Sequence, residues 1–184
     1  MKRVIAAAVV LIMVLGTAFA GCDRDQTKDE EIVSLTWPME IVTETPEDFN
    51  EDLFLSENEG FTKASPNEDG TVDVSMTKST YDYIKDQFNQ QFSLFFEELV
   101  SSDQTSYIED IDYEPDFRNI EIKVEKSGYE SDEEIGSELL PTVAMNIAQY
   151  HQITGLDEQN TLTLVDNETS EVIQTFNYPE DIEQ

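Results

Sequence analysis

Apolar and polar residues recur in regular periods from Thr71 onward. Between Thr71 and Thr77 every second residue is apolar, and this alternation predicts a half-buried strand. A helix is predicted from Ser79, where Asp82 three residues later resembles a capping arrangement. Its apolar residues recur at steps of three and four: Tyr81, Ile84, Phe88, Phe92, Phe95 and Leu99. Such spacing gives one apolar stripe, and we expect Phe88, Phe92 and Phe95 to be buried against a sheet.

Two hairpins are predicted further along the chain. In the first, the segment 119–124 alternates cleanly, whereas 108–113 is less regular and suggests a bulge. The connecting turn is "EPDFRN". In the second, "NTLTLVD" and "EVIQTFNYP" flank a turn at "NETS". Both hairpins should contribute antiparallel strand pairs.

A second helix is predicted between the hairpins. It should start near Ser131, because Glu134 completes a Ser-x-x-Glu capping box, and Gly155 is a suitable C-terminal cap. Its stripe comprises Ile135, Leu139, Val143, Ile147 and Tyr150. Pro141 lies inside this pattern and should kink the helix or mark a restart.

The pattern before Thr71 is weaker. "IVSLTW" and "MEIV" resemble two short strands separated by Pro38, and "GFTKA" resembles a third. The acidic stretch "PEDFNEDLFLSENEG" has no clear period and is expected to be irregular. An Asp-Gly turn signal lies within "SPNEDGTVD", from Ser65 to Asp73.

These elements predict an α+β fold with one domain over residues 31–184. From about residue 71 the order is strand, helix, strand, strand, helix, strand, strand. The first six match the split β-α-β order of the ferredoxin-like fold, in which two helices pack on one face of an antiparallel sheet. The final strand would extend that sheet.

The N-terminus has a different pattern. Lys2 and Arg3 precede twelve consecutive apolar residues, Val4 to Leu15, and small residues follow. This order is typical of a secretory signal peptide, here residues 1–21. The alternative is a transmembrane helix, but a span needs about 20 apolar residues and this run breaks at Gly16.

The stretch "FAGC" at residues 19–22 resembles the lipobox of bacterial lipoproteins. Ala20, Gly21 and Cys22 match the pattern, whereas Phe19 replaces the usual leucine. The resemblance implies cleavage between Gly21 and Cys22, with lipid such as palmitate on the cysteine. It places the protein on the extracytoplasmic face of the cell membrane. Alternatively, cleavage after Ala20 would leave a secreted protein with a free thiol. Residues 22–30 are polar and without period, which predicts a flexible tether.

The charge of the chain limits its partners. The formal net charge is −31, and no Lys or Arg follows Lys126. Removing residues 1–21 would leave eight basic residues against 41 acidic ones, a formal charge of −33. Nucleic acid is excluded as a partner because its binding depends on Lys and Arg. Anionic headgroups should also repel this domain. The acidity favours a role in solubility, while a basic partner or bound cations are the alternatives.

Candidate chemistry is sparse. His151 is the only histidine, and a structural place near a helix C-terminus is favoured over a general base or metal ligand. The loop 65–73 has the Asn-x-Asp-Gly order of an EF-hand but lacks acids at Ser65 and Met76, so a hairpin turn is favoured over calcium. The acids of 166–171 are likewise expected in a turn. We predict no catalytic residue, no metal ligand and no cofactor.

Two longer stretches resemble small, uncharacterised acidic lipoproteins of Gram-positive, gut-type bacteria: "STYDYIKDQFNQQFSLFFEEL" and "YIEDIDYEPDFRNIEIKVEK". They carry no chemical signature from which an activity could follow. The expected function is therefore a non-enzymatic binding or interaction module, anchored by lipid on Cys22 and binding an unknown protein or ligand. A cation- or solute-binding module is the alternative, and an enzyme is the third possibility.

Overall fold

The computed structural model describes residues 30–43, 45–131 and 133–182, with the backbone alone for 133–138. Within these ranges the strands are β1 (Ile32–Pro38), β2 (Phe61–Pro66), β3 (Thr71–Thr77), β4 (Ile108–Tyr113), β5 (Asn119–Val124), β6 (Asn160–Asp166) and β7 (Val172–Tyr178). The α-helices there are α1 (Met39–Val42), α2 (Glu51–Glu57), α3 (Lys78–Ser101), α4 (Lys126–Glu130) and α5 (Glu133–Thr154). The protein is thus α+β, as predicted.

The described residues form two compact units. The first comprises residues 30–87 and Ile153–Gly155, and the second comprises the rest. Helices α3 and α5 contribute residues to both units. The prediction of a single domain over residues 31–184 stays a prediction.

The first unit is built on an antiparallel sheet with the order β1-β3-β2. Alternation buries Val72, Val74 and Met76 of the central strand on one face. Trp37 is fully buried, and its indole Nε1 donates to the carbonyl oxygen of Ile153 at 3.0 Å. The predicted strands β1, β2 and β3 are confirmed. The buried indole of Trp37 fixes the position of β1 in this core.

The second unit is built on a mixed sheet with the order β4-β5-β6-β7. The two outer pairs are antiparallel, and β5 and β6 are parallel. The predicted hairpins are confirmed, and the register shifts between Ile108 and Asp110, where a bulge was expected. One face of the sheet is buried through these residues: Ile108, Ile111, Ile120, Ile122, Val124, Leu162, Leu164 and Phe176.

The buried face of α3 includes Phe96 instead of the predicted Phe95, and the predicted Tyr81 and Leu99 are only half-buried. Phe88, Phe92 and Phe96 are each 3% exposed, whereas Phe95 is only half-buried. Steps of four residues rotate a position by only about 40°, so Phe96 follows Phe92 on the buried face while Phe95 lies to one side. The Phe92 ring contacts the ring of Phe117, with centroids 4.8 Å apart.

The predicted ferredoxin-like order is not confirmed. It would require β3 in one sheet with the two later hairpins, but β3 pairs with β1 on one edge and β2 on the other. Because both edges of β3 are occupied, no later strand can join it. Instead β5 pairs directly with β6, and the long connection through α5 permits this parallel pairing.

Two segments before Thr71 form helices rather than the predicted structures. "MEIV" is not a strand but the short helix α1, directly after Pro38. The acidic stretch expected to be irregular contains α2, whose cap is Asn50: its side chain accepts from the backbone N–H of Leu53 at 2.9 Å. Asn is a favoured N-cap because its oxygen satisfies an otherwise unpaired N–H of the first turn.

Helix α5 ends as predicted. Gly155 has a φ of 70°, and the N–H of Leu156 donates to the carbonyl of His151 at 2.8 Å. The helix starts two residues later than Ser131 and continues through Pro141 without a restart. The predicted capping box involves the side chain of Glu134, which lies outside the described side chains.

Candidate functional site

The predicted lipid attachment site lies outside the described residues. Gly21 and Cys22 precede Glu30, where the description starts, as do the predicted signal peptide and nearly all of the tether. Within the described ranges, no helix is both long enough and apolar enough to cross a membrane. Cleavage and lipidation at Cys22 therefore stay predictions.

His151 has a structural environment. Its side chain is fully buried in the last turn of α5, and Nε2 lies 2.6 Å from the carbonyl oxygen of Asp116. The imidazole also packs against the Tyr150 ring, with centroids 5.6 Å apart. Nε2 must carry a proton in order to donate to the carbonyl. A ring without exposed surface offers nothing to a substrate, so this geometry favours the structural interpretation.

The acidic loop from Ser65 to Asp73 is the turn between β2 and β3, as the sequence predicts. Asp69 accepts from the Thr71 hydroxyl at 2.7 Å and from the Thr71 N–H at 3.1 Å. These bonds hold the pKa of Asp69 below its ordinary value. Gly70 has a φ of 85°, which glycine adopts without strain. The Asp69 carboxylate thus stabilises the turn itself.

Asp73 also has partners that stabilise its ionised carboxylate. Its carboxylate accepts from the Thr36 hydroxyl at 2.9 Å and from the Asn67 amide at 3.2 Å. Lys63 is 3.9 Å away. The Thr36 bond, followed by the Asn67 bond, lowers the pKa of Asp73. The Asp73 carboxylate therefore contacts both neighbouring strands and the turn, and it has a structural role in this sheet.

The acidic segment 166–171 is the turn between β6 and β7, again as predicted. The Asp166 carboxylate accepts from the Thr169 hydroxyl, which lowers the pKa of Asp166. The Glu171 carboxylate forms an ion pair with Lys126 at 3.3 Å. Within the described part of the chain, no group of three or more His, Cys, Asp or Glu side chains could hold a metal ion.

Sequence reasoning missed an ion-pair cluster on the second sheet. Lys123 on β5 contacts Asp112 at 2.5 Å and Asp110 at 3.0 Å, both on β4. The two carboxylates raise the pKa of Lys123, and the lysine lowers the pKa of Asp110. In the folded hairpin Lys123 lies opposite Asp110. The sequence could not give this pairing, because the expected bulge leaves the strand register undetermined. These exposed cross-strand pairs stabilise the hairpin modestly.

Carboxylates also occupy two sheet edges, which the sequence did not reveal. At β2 the backbone N–H of Ala64 donates to Glu51 Oε1 at 3.1 Å. At β7 the backbone N–H of Asn177 donates to Asp181 Oδ2 at 2.6 Å. In both cases the N–H belongs to an edge strand and points away from the sheet. An acidic side chain therefore satisfies a donor that could otherwise pair with another strand.

The third edge is charged and the fourth is open. Strand β4 carries Glu109, Asp110 and Asp112, which discourage pairing with a further strand. Strand β1 contains no charged residue and hydrogen-bonds only to β3 among the described strands.

No protein-family model, no curated protein and no solved structure matches this chain. A function must therefore follow from its own residues.

Proposed function

We propose that this protein is a lipid-anchored domain on the extracytoplasmic face of a membrane, where it acts as a non-enzymatic interaction module. The observation that carries the proposal is the position of Cys22. It lies directly after an apolar run and small residues, and ten residues before β1 begins at Ile32. In bacterial lipoproteins, which this segment resembles, that cysteine bears the lipid.

The energetics favour lipid over adsorption as the anchor. Each buried CH2 of an acyl chain contributes about 0.8 kcal/mol, and two or more chains hold a protein stably at a bilayer. The domain has a strong negative charge, so anionic headgroups repel it. Ten residues reach at most about 35 Å when fully extended. The tether therefore keeps the domain near the membrane without pressing it onto the surface.

An interaction role is supported by what the described polar side chains already do. His151 bonds a backbone carbonyl inside the protein, and Asp69 and Asp166 accept hydrogen bonds within turns. Groups committed to structural bonds in this way are poor proton carriers for a substrate. The open edge of β1, in contrast, presents unpaired backbone groups to a partner.

We also propose that α3 and α5 cover the same face of the four-stranded sheet. Phe92 of α3 contacts Tyr150 of α5, with ring centroids 5.9 Å apart, and the buried sheet residues alternate with exposed ones. Nuclear Overhauser contacts from both Phe92 and Ile147 to Ile122 would support this arrangement. Contacts from Ile147 to Thr163 would contradict it.

Mass spectrometry of the protein purified from membranes tests the anchor directly. We expect the mature chain to begin at Cys22 and to carry acyl mass on that residue. Cys22→Ser should abolish the modification and release the protein from the membrane fraction. Thr27→Ala is the matched control, because it changes the same segment without removing the thiol. An unmodified Cys22 in the wild-type protein would refute the anchor.

A further inference from the structure

The pairing of β1 with β3 determines which of its backbone groups face outward. The N–H of Met39 donates to Gly70 at 3.0 Å, and the N–H of Lys78 donates to Glu31 at 2.8 Å. These bonds bracket the ladder and make Ile32↔Thr77 and Pro38↔Thr71 non-hydrogen-bonded pairs. Every second residue of β1 therefore directs its N–H and C=O away from β3: Ile32, Ser34 and Thr36.

These outward groups are unpaired among the described residues. No hydrogen bond there uses the backbone N–H or C=O of Ile32, Ser34 or Thr36. The side chains of Ser34 and Thr36 bond instead to β3, through Ser75 at 2.9 Å and Asp73 at 2.9 Å. The hydroxyls are thus held on the sheet, and the edge presents only its main chain to an incoming strand.

The other three edges carry acidic side chains that β1 lacks. Glu51 takes the outward N–H of β2, Asp181 takes one on β7, and β4 carries three acids. Natural sheets close their edges with such charges because an open edge is a template for another strand. In a chain with 41 acidic residues, β1 has seven residues and none of these devices.

We propose that the β1 edge binds an extended, Lys- or Arg-bearing segment of another protein, which adds to the sheet as a fourth strand beside β1. Three alternate residues offer three donors and three acceptors, which suits recognition by main-chain pairing. The proposal deepens the interaction module proposed above and rests on it for the location of the partner, outside the membrane.

Charge decides which class of segment fits. Residues 30–87 contain fifteen acids and three lysines, with Glu31 before β1 and Glu40 after it. A basic segment would meet acids at both ends of the strand. A second copy of this chain would bring the same negative charge to the edge and be repelled. Complementarity therefore favours a basic partner over self-association.

The probe is an end-blocked octapeptide of alternating lysine and valine, compared with its glutamate counterpart. The protein is the full chain, labelled with ¹⁵N in neutral detergent. We expect the lysine peptide to slow amide exchange at Ile32, Ser34 and Thr36 at least tenfold. The glutamate peptide should not do so. Protection at Ile111 or Thr175 instead, or equal binding of both peptides, would overturn the proposal.

Proline variants separate strand addition from general attraction to an acidic protein. Ser34→Pro removes an outward N–H and no ladder bond, and should weaken binding of the lysine peptide at least tenfold at unchanged charge. Thr175→Pro is the matched control, because its N–H points outward on the uncharged β7, and should leave binding unchanged. Equal effects of the two variants, or no effect of Ser34→Pro, would overturn the proposal.

The oligomeric state and the lipid anchor are measured separately from peptide binding. Sedimentation of the free protein should show a monomer, and a dimer with protected β1 amides would mean that a second copy occupies the edge. Lipid on Cys22 with no peptide binding would refute the edge and leave the anchor. Peptide binding without lipid on Cys22 would refute the proposed location and leave the edge.

Discussion

Strands β1 and β7 are alike in length and lack of charge but differ at their edges. Both have seven residues, no charge and an edge position in their sheets. At β7 the Asp181 carboxylate takes the outward N–H of Asn177, and the N–H of Asp181 returns a bond to the Asn177 carbonyl at 2.9 Å. At β1 the corresponding groups of Ser34 and Thr36 are open. One outward donor of β7 is therefore satisfied by an acid from the following segment, and β1 has no such acid.

The largest expected effect concerns the core of the unit that carries β7. Phe92 is 3% exposed and contacts the rings of Phe117 and Tyr150. Phe92→Ala should reduce the free energy of unfolding by about 3–5 kcal/mol. Phe95→Ala, at a half-buried position, should cost less than half as much. Denaturant titration measures both, and a loss under about 1 kcal/mol for Phe92→Ala would contradict burial of the stripe.

Proline substitution along β1 should distinguish inward from outward N–H groups. Leu35 pairs with Val74 and directs its N–H into the ladder, whereas Ser34 directs its N–H outward. Leu35→Pro should cost about 3 kcal/mol, through a lost ladder bond and lost apolar contact. Ser34→Pro should cost about 1 kcal/mol, for the hydroxyl bond to Ser75. Equal losses in thermal melts would refute the register on which the open edge depends.

Salt should stabilise the whole protein, because folding compresses many like charges. The Debye length falls from about 10 Å at 0.1 M to about 3 Å at 1 M, so sodium chloride should raise Tm by a few degrees, or roughly 1 kcal/mol. Calcium at matched ionic strength should do no more than sodium. A rise specific to calcium and reversed by a chelator would favour the cation-binding alternative, since a site adds about 2.7 kcal/mol at a hundredfold excess over Kd.

Uncapping β7 should make it resemble β1. Asp181→Ala removes the acceptor of the Asn177 N–H and should cost about 1 kcal/mol or less. Amide exchange at Asn177 should accelerate, while exchange at Phe176, whose N–H points into the ladder, should not change. Glu180→Ala is the control for loss of one negative charge nearby. If Asn177 exchanges at the same rate in both variants, the cap does not protect this edge.

Strict alternation explains why some elements were predictable. The strand 71–77 alternates without interruption, so its bounds follow from residue type alone. The final hairpin alternates only in part, and the turn residues between its two apolar segments marked it. Helix α2 has consecutive apolar residues, Leu53, Phe54 and Leu55, which give no period. The sequence feature that marks this helix is its N-cap Asn50, which precedes an acidic first turn.

Pairing between strands was less predictable than the strands. Periodicity shows which face of β3 is buried but not which segments lie at its edges, and β1 and β2 were the weaker patterns. The carboxylates that satisfy edge N–H groups were equally unpredictable, because Glu51 and Asp181 are two of 41 acids and no local sequence feature marks them. Their role depends on distances that only the folded chain establishes.

Amide hydrogen exchange along β1 tests the open edge most directly. In the full chain without a partner, the N–H groups of Val33, Leu35 and Trp37 donate into the ladder, whereas those of Ile32, Ser34 and Thr36 face outward. We predict an alternating pattern, with exchange at the outward three at least tenfold faster than at the inward three. Uniformly slow exchange along the strand would mean that its edge is already covered, and would contradict the account.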